Sequence, residues 1–152
     1  MAHILIADDD EIVAELAAGV LIDAGHACGW VTSGEEALSL LKWRRPDLLL
    51  LDQDMPGMTG RDVLRELRGS ERLYDLPVIM FTGITGAEDE AAAYYNGAQD
   101  YLRKPFEPRF LLRKVEILLR SRAERPQHRD LREVMEMNAG TYSARDGRRR
   151  SI

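Results

Sequence analysis

The chain has a single cysteine, Cys28, and no run of apolar residues long enough to cross a membrane. One cysteine excludes an internal disulfide framework and any multi-cysteine metal site, so we expect Cys28 to be a small core residue. A membrane helix needs ~18 consecutive apolar residues, and the short apolar run after Met1 turns acidic at once. We therefore expect a cytoplasmic protein without a membrane partner.

Positive charge is also scarce over most of the chain. The formal net charge is -5, and residues 125–152 hold seven Arg against four acidic residues, which leaves -8 for residues 1–124. This acidic balance argues against direct nucleic-acid binding. With 152 residues and 45% hydrophobic content, the chain can form one domain with a full core.

Short apolar segments that end at polar residues alternate with segments of helical spacing. The predicted strands are 4–7, 26–31, 48–51, 76–82 and 99–102, and the predicted helices are 12–24, 35–43, 61–68, 88–96 and one that begins at Pro108. This alternation predicts an α/β fold, a doubly wound, five-stranded parallel sheet with five helices. Apolar positions recur at helical spacing in four of these helices and predict the buried face of each: Ile12, Leu16, Val20 and Leu21 in the first; Ala37, Leu38, Leu40 and Leu41, facing inward, in the second; Val63, Leu64 and Leu67, on one face, in the third; and Phe110, Leu111, Val115, Leu118 and Leu119, as a buried stripe, in the last.

Polar side chains follow four of the predicted strands. Asp8 and Asp9 end the first strand, and Asp52 ends the four-leucine strand that begins at Leu48. Thr82 ends the fourth strand, and Lys104 follows the fifth. Because carboxyl ends of parallel strands share one edge of a sheet, we expect these groups to meet there.

The three carboxylates form a hard, oxygen-rich site that suits Mg²⁺ or Mn²⁺. Lys104 and Thr82 suit the oxygens of a phosphoryl group, and a carboxylate can act as a nucleophile toward phosphorus. Asp52 stands alone at the middle of this edge, which makes it the candidate nucleophile. The alternative is that Asp52 only stabilises the turn before Pro56 and Gly57.

These motifs together resemble the receiver domain of two-component response regulators. The resemblance depends on the acidic pair Asp8-Asp9, on Asp52 followed by Met-Pro-x-Met-x-Gly through Gly60, on Thr82 with its small neighbour, and on Lys104-Pro105. It covers about residues 2–121 and implies a flavodoxin-like strand order 2-1-3-4-5. Residues 1–124 would be the receiver domain.

The resemblance implies a role for each site residue. Asp52 would accept a phosphoryl group from a sensor histidine kinase, a histidine phosphotransfer protein or a small phosphodonor. Mg²⁺ would be held by Asp9 and Asp52, by Asp8 through water, and by the backbone carbonyl of Asp54. Lys104 would pair with the phosphoryl group and Thr82 would hydrogen-bond to it. The protein would be a phosphoacceptor switch, not an enzyme acting on a separate substrate.

The resemblance also implies a readout. Tyr101 would turn inward when Thr82 moves toward the phosphoryl group, and so change the face made by the fourth predicted helix, the fifth strand and the fifth helix. That face would bind a downstream protein or a second copy of the chain. The Lys104–Pro105 bond would be cis, and Asp54 and Ile84 would tune the phosphoryl lifetime. The alternatives are an ordinary half-buried aromatic at Tyr101, a plain turn proline at Pro105, and solvent-facing loop residues at positions 54 and 84.

Two further alternatives stay open. Asp52-Gln53-Asp54 also resembles the Asp-x-Asp motif of haloacid-dehalogenase phosphatases, although Pro56 and the third-strand position depart from that pattern. Residues 125–152 are predicted to be a C-terminal extension, with a short helix around Leu131, Val134 and Met135 and then a flexible basic tail. We expect a single-domain regulator, and the alternative is a receiver fragment of a longer regulator with an effector domain.

Overall fold

The computed structural model describes residues 1–83 and 97–124, with side chains up to residue 121. Within these residues five parallel strands form one sheet in the order β2-β1-β3-β4-β5, which confirms the predicted class and strand order. The strands are β1 (His3–Ala7), β2 (Ala27–Val31), β3 (Leu48–Asp52), β4 (Val78–Thr82) and β5 (Asp100–Arg103). The described helices are α1 (Glu11–Asp23), α2 (Gly34–Leu41), α3 (Gly60–Arg68) and α4 (Pro108–Glu124).

β3 is buried on both faces, and its leucines divide between two cores. Leu49 and Leu51 face a cluster that includes α2 and α3. Leu48 and Leu50 face a second cluster that includes α1 and α4. Because successive side chains of a strand point to opposite faces, four leucines in a row fit a strand covered by helices on both sides. The strand that carries Asp52 is therefore held rigidly in the centre of the sheet.

Side-chain caps fix where the first three helices begin. Asp10 accepts hydrogen bonds from the backbone N–H groups of Ile12 and Val13 at the start of α1. Ser33 accepts from Glu36 N–H at the start of α2. Thr59 and Asp62 cap α3 reciprocally, and the hydrogen bonds from Thr59 hold the pKa of Asp62 below its usual value.

The predicted buried faces are correct for α3 and partly wrong for the other helices. In α1, Leu21 is buried but Ile12 and Leu16 are exposed, and the buried stripe also contains Ala14, Ala17 and Ala18. Small side chains fit under α1 because the large side chains of β1 and β3 already fill that core. Leu40 and Phe110 also face solvent, whereas Ala37, Leu41, Leu111 and Val115 are buried. Helix α2 ends at Leu41 rather than at Trp43.

Several predictions fall on residues outside the described ranges. They are the helix 88–96, Ile84, the short helix around Leu131 and the basic tail. The domain boundary at residue 124 likewise stays a prediction. Among the described residues, no helix combines the length and apolar character that crossing a membrane requires.

Candidate functional site at the carboxyl edge of the sheet

The carboxylates of Asp8, Asp9 and Asp52 lie together at the carboxyl edge of the sheet. One oxygen from each lies within 4.8 Å of the other two. Asp8 is fully buried and Asp52 is 1% exposed, whereas Asp9 faces solvent. β1 and β3 are paired neighbours, so the residues at and just beyond their carboxyl ends meet. The sequence prediction that these acids converge is therefore met by the geometry.

Backbone hydrogen bonds hold the two buried acids in place. The N–H of Asp8 donates to Val31 O over 3.1 Å, which extends the pairing of β1 with β2 by one residue. Asp8 Oδ1 accepts from Asp10 N–H at 2.9 Å, and Asp52 Oδ1 accepts from Asp54 N–H at 3.2 Å. Each carboxylate thus stabilises the loop that follows it, so the turn role considered for Asp52 is also fulfilled.

Lys104 supplies the positive charge of the site. Its Nζ lies 2.8 Å from Asp8 Oδ2 and 3.3 Å from Asp52 Oδ1. The backbone N–H of Lys104 donates to Thr82 O at 2.8 Å, so the lysine and the threonine are neighbours across β4 and β5. The Lys104–Pro105 bond is cis, as the resemblance implied. Thr82 itself is 5% exposed.

Phe81 lies against Lys104 and Phe106 packs on Phe81, and neither contact was predicted from the sequence. Lys104 Nζ lies 5.2 Å from the centroid of the Phe81 ring, and that ring packs on Phe106 with centroids 5.3 Å apart. An ammonium over an aromatic face is attracted by the ring quadrupole, and the packing restricts the lysine side chain. Phe81 could have been noticed from its position beside Thr82, but Phe106 meets it only through the tertiary fold.

The charges of the site perturb the pKa values of two residues. Burial and the neighbouring charge of Asp8 raise the pKa of Asp52 to about 7, although Lys104 and the Asp54 N–H act in the opposite direction. Burial acts to lower the pKa of Lys104, but its close pairing with Asp8 and the charges of Asp52 and Asp8 outweigh burial and raise it. The single positive charge of Lys104 therefore does not neutralise both buried carboxylates, those of Asp8 and Asp52.

The carboxylates fit a hard divalent cation. Two oxygens bound to one Mg²⁺ lie at most ~4.2 Å apart, because each lies about 2.1 Å from the ion. Three oxygens within 4.8 Å of one another come close to that spacing. Asp8 Oδ2 is also buried and, among the described residues, has only the Lys104 ion pair and no well-directed hydrogen bond. A buried anionic oxygen with so few partners suits a site that takes up further positive charge.

The remaining predicted site residues lie near this cluster or outside the described chain. Asp54 is exposed in the loop after β3. Tyr101 is half-buried in β5, packs against the core under α2 and α3, and has its hydroxyl 3.3 Å from an Arg103 nitrogen. Ile84 is not among the described residues. Cys28 lies partly buried beside the other core, where burial raises the pKa of its thiol to about 11, in keeping with the structural role expected for it.

Gly60 is a further residue that the site needs. It begins α3, and its N–H donates to Gln53 O at 3.1 Å. A Cβ atom at Gly60 would collide with the backbone carbonyl oxygen of Asp52 and lie 2.9 Å from Gln53 Cα. Only glycine lets α3 approach the end of β3 this closely.

The fold and the site define a doubly wound α/β domain with an acidic cluster at the carboxyl edge of its sheet, and comparison with known proteins gives its family. The profile of the response regulator receiver domain matches residues 4–116. The chain is 38% identical over 124 residues to the DNA-binding response regulator MtrA of Mycolicibacterium smegmatis. This chain belongs to the response regulator receiver domain family.

Solved structures agree with this assignment. A response regulator structure from Chloroflexus aurantiacus superposes with a TM-score of 0.75 at 37% identity, covering 78% of this chain and 97% of that one. The Vibrio cholerae chemotaxis protein CheY4 gives a TM-score of 0.73 at 31% identity, covering 77% of this chain and 98% of that one. The match to MtrA covers 82% of this chain but 53% of MtrA, so the chain spans about half the length of the curated relatives it matches.

Proposed function

We propose that Asp52 accepts a phosphoryl group and that the resulting charge is the signal this protein transmits. The observation that carries the proposal is the placement of Asp52: a buried carboxylate at the end of the central strand, with Lys104 Nζ 3.3 Å away and two more carboxylates beside it. The donor is a sensor histidine kinase, a histidine phosphotransfer protein or a small acyl phosphate. Family membership speaks against the dehalogenase-like phosphatase alternative.

The chain's own residues divide the work of the transfer. From a phosphohistidine donor, an Asp52 carboxylate oxygen forms the new O–P bond as the donor's N–P bond breaks, and the electron pair of that bond leaves with the histidine nitrogen. Lys104 then balances the negative charge of the new phosphoryl group, and the Thr82 hydroxyl donates a hydrogen bond to it. Because the phosphoryl group stays on Asp52, the protein acts as a switch.

Asp8, Asp9, Asp52 and the backbone carbonyl of Asp54 would hold Mg²⁺ or Mn²⁺ in this proposal. The cation would supply positive charge that offsets the repulsion between the phosphoryl oxygens and the carboxylates. The close spacing of the three acids and the poorly satisfied Asp8 Oδ2 support this assignment.

The signal would travel through β4 and β5. In the β4–β5 register, Thr82 pairs with Arg103 and Met80 pairs with Tyr101. A movement of Thr82 would therefore displace the strand that carries Tyr101. We assign the switch to Thr82 and Tyr101, and the output to the face that the resemblance implies for the predicted helix 88–96, β5 and α4. A protein partner, or a second copy of this chain, would read that face. Asp54 and Ile84 would set how long the phosphoryl group survives.

A DNA-binding output is the second candidate. It is favoured by the similarity to MtrA, whose name describes a DNA-binding regulator. The charge of -8 on residues 1–124 favours protein contacts for the receiver itself. Electrophoretic mobility shifts with duplex DNA distinguish the two, because a protein-binding receiver leaves the DNA unshifted at physiological salt.

Phosphoryl transfer is tested by incubating the chain with acetyl phosphate and Mg²⁺ and measuring its intact mass. The wild type should gain one phosphoryl group, and Asp52→Asn should gain none. Asp54→Asn is the matched control: it removes an exposed acid two residues away but keeps the backbone carbonyl, and it should still be labelled. Equal labelling of Asp52→Asn and the wild type would refute the proposal.

A further inference from the structure

The turn after α2 presents an exposed tryptophan at the edge of the sheet opposite Asp52. Trp43 is 82% exposed, and Leu40, one helical turn earlier, is 38% exposed. Residues three apart on a helix lie on the same side of it, and the Lys42 backbone remains helical, which places Leu40 and Trp43 on the same side of this turn. A single exposed apolar residue is ordinary, but an exposed tryptophan near an exposed leucine forms a small apolar patch.

The turn that carries Trp43 is braced from both sides. The N–H groups of Trp43 and Arg44 both donate to Leu40 O at 3.0 Å. Arg72, in the loop after α3, donates to Leu41 O. Arg45 donates in turn to Arg72 O at 2.8 Å and forms a 3.1 Å ion pair with Asp75. Because this turn is already ordered, a partner that binds Trp43 has little backbone entropy to lose there.

Trp43 lies between two cationic residues in the sequence. Lys42 and Arg44 flank Trp43 and are exposed, and neither forms a salt bridge or side-chain hydrogen bond with another described residue. Two acids of the adjoining segments are already engaged: Asp75 pairs with Arg45, and Asp47 accepts from His3 N–H at 2.8 Å. This basic spot lies on a stretch, residues 1–124, whose net charge is -8.

We propose that Leu40, Lys42, Trp43 and Arg44 form a docking surface for an acidic segment of a partner protein. An apolar side chain of that segment packs on the indole, and its carboxylates pair with Lys42 and Arg44. Tryptophan is one of the residue types enriched among the few residues that contribute most of the binding energy of a protein interface. Two cations are too few to hold a nucleic acid, which needs several phosphate contacts, on an otherwise acidic domain.

This surface is separate from the phosphoryl site. β3, five residues long, lies between the turn that carries Trp43 and Asp52, a distance of roughly 15 Å. A partner can therefore occupy this surface whether or not Asp52 is phosphorylated, and changes at Trp43 should leave phosphoryl labelling intact.

The test uses a random-peptide phage library panned on the full chain, followed by synthesis of the enriched peptides with a fluorescent label. We expect peptides that combine acidic with apolar residues, and we expect Trp43→Ala to weaken their binding about tenfold or more. The double variant Lys42→Glu/Arg44→Glu should also weaken peptide binding, by a larger factor at low salt than at high salt. Trp43→Phe should retain part of the affinity. Acetyl phosphate labelling and circular dichroism should match the wild type in every variant.

Four outcomes overturn the proposal. The first is panning that enriches no acidic apolar peptides, and the second is enriched peptides that bind Trp43→Ala as tightly as the wild type. The third is Trp43-dependent binding of labelled single-stranded DNA or of phosphatidylserine vesicles that exceeds peptide binding. The fourth is Trp43-dependent self-association in sedimentation, which would make a second copy the occupant. Trp30→Phe keeps Trp43 as the only indole, so a shift in fluorescence on adding peptide locates the contact.

Discussion

The ammonium of Lys104 lies 2.8 Å from Asp8 Oδ2 but 3.3 Å from Asp52 Oδ1. The lysine that would balance a phosphoryl group on Asp52 is thus held mainly by the neighbouring acid. In this arrangement one positive charge serves two buried carboxylates, and the region is left with excess negative charge. This excess negative charge suits the binding of a cation but lowers the free energy of unfolding. Substitutions in the site should therefore change the free energy of unfolding measurably.

The free energy of unfolding should rise when Asp52 is neutralised. In chelator at pH 7, we expect Asp52→Asn to be roughly 1–3 kcal/mol more stable than the wild type in urea titrations, because it removes one of two close, buried like charges. The folded-state pKa of Asp52, about 7, lies above the ordinary value of 3.8 for an aspartate, so the folded protein binds this proton more tightly than the unfolded chain. The stabilisation from this group is present below about pH 4 and is lost as the pH rises through 7.

The difference between Asp52→Asn and the wild type should therefore grow from pH 4 to pH 7. Asp54→Asn, which neutralises an exposed acid in the same loop, should follow the wild type. A pH-independent difference, or a destabilised Asp52→Asn, would contradict the charge argument.

Asp9→Ala should abolish Mg²⁺ binding. Asp9 contributes one of the three clustered carboxylates and faces solvent, so its removal should not disturb the core. Isothermal titration, or the fluorescence of Trp30 and Trp43 during a Mg²⁺ titration, measures the effect. Asp10→Ser is the matched control: it removes the adjacent acid but keeps a side chain that can cap α1, so Mg²⁺ binding should persist. Unchanged titration of Asp9→Ala would exclude this site.

Gly60→Ala should destabilise the fold and slow labelling of Asp52. The added methyl group collides with the backbone of Asp52, so α3 must move away from β3, at a cost of about 1–3 kcal/mol. Gly19→Ala, in an exposed position of α1 with open space around it, should instead stabilise by about 0.5–1 kcal/mol. Thermal unfolding of the two variants compares them directly. Equal effects of the two substitutions would show that the close approach at Gly60 is unimportant.

Arg68→Lys should cost about 2 kcal/mol or more in urea unfolding. The half-buried guanidinium of Arg68 donates to Gly97 O at 2.6 and 2.9 Å, to Tyr74 O at 3.0 Å and to Gln99 Oε1 at 3.1 Å, and so ties the end of α3 to the segments before β4 and β5. A lysine ammonium cannot span these acceptors, and buried acceptors that lose their donors are destabilising. Arg65→Lys, at an exposed Asp62 pair, should change stability by less than about 0.5 kcal/mol. If Arg68→Lys lost as little stability as Arg65→Lys, the hydrogen bonds of the Arg68 guanidinium would be unimportant and only its positive charge would matter.

The strands and the site were predictable because their signals are local. Four consecutive leucines bounded by turn residues and ending at Asp52 predict a short strand covered on both sides, and polar residues at the carboxyl ends of parallel strands share an edge. Helix α3 was predicted with the correct buried face because Val63, Leu64 and Leu67 are its main apolar residues. The fold class followed from these patterns, whereas the strand order was implied by the resemblance of the motifs to the receiver family.

The faces of the other helices depended on what lies beneath them. The spacing of Ile12 and Leu16 is typical of a buried stripe, but α1 packs through Ala14, Ala17 and Ala18 because the strands already fill that space. Leu40 and Phe110 were misassigned for a related reason: periodicity identifies an apolar stripe but not its edges. The space in a core is filled by elements far apart in sequence. The pattern of one segment therefore does not determine which of its apolar side chains are buried.

The sequence by itself thus determined the order of the elements, the edge at which Asp8, Asp9, Asp52, Thr82 and Lys104 gather, and the kind of ligand these groups suit. Only the tertiary structure decided that Lys104 sits closer to Asp8 than to Asp52, that Phe81 and Phe106 support it, and that Trp43 stands in solvent on a braced turn. Side-chain chemistry and local periodicity are written residue by residue along the chain. Distances of a few tenths of an ångström, and which apolar surface stays uncovered, follow from the packing of all the elements together.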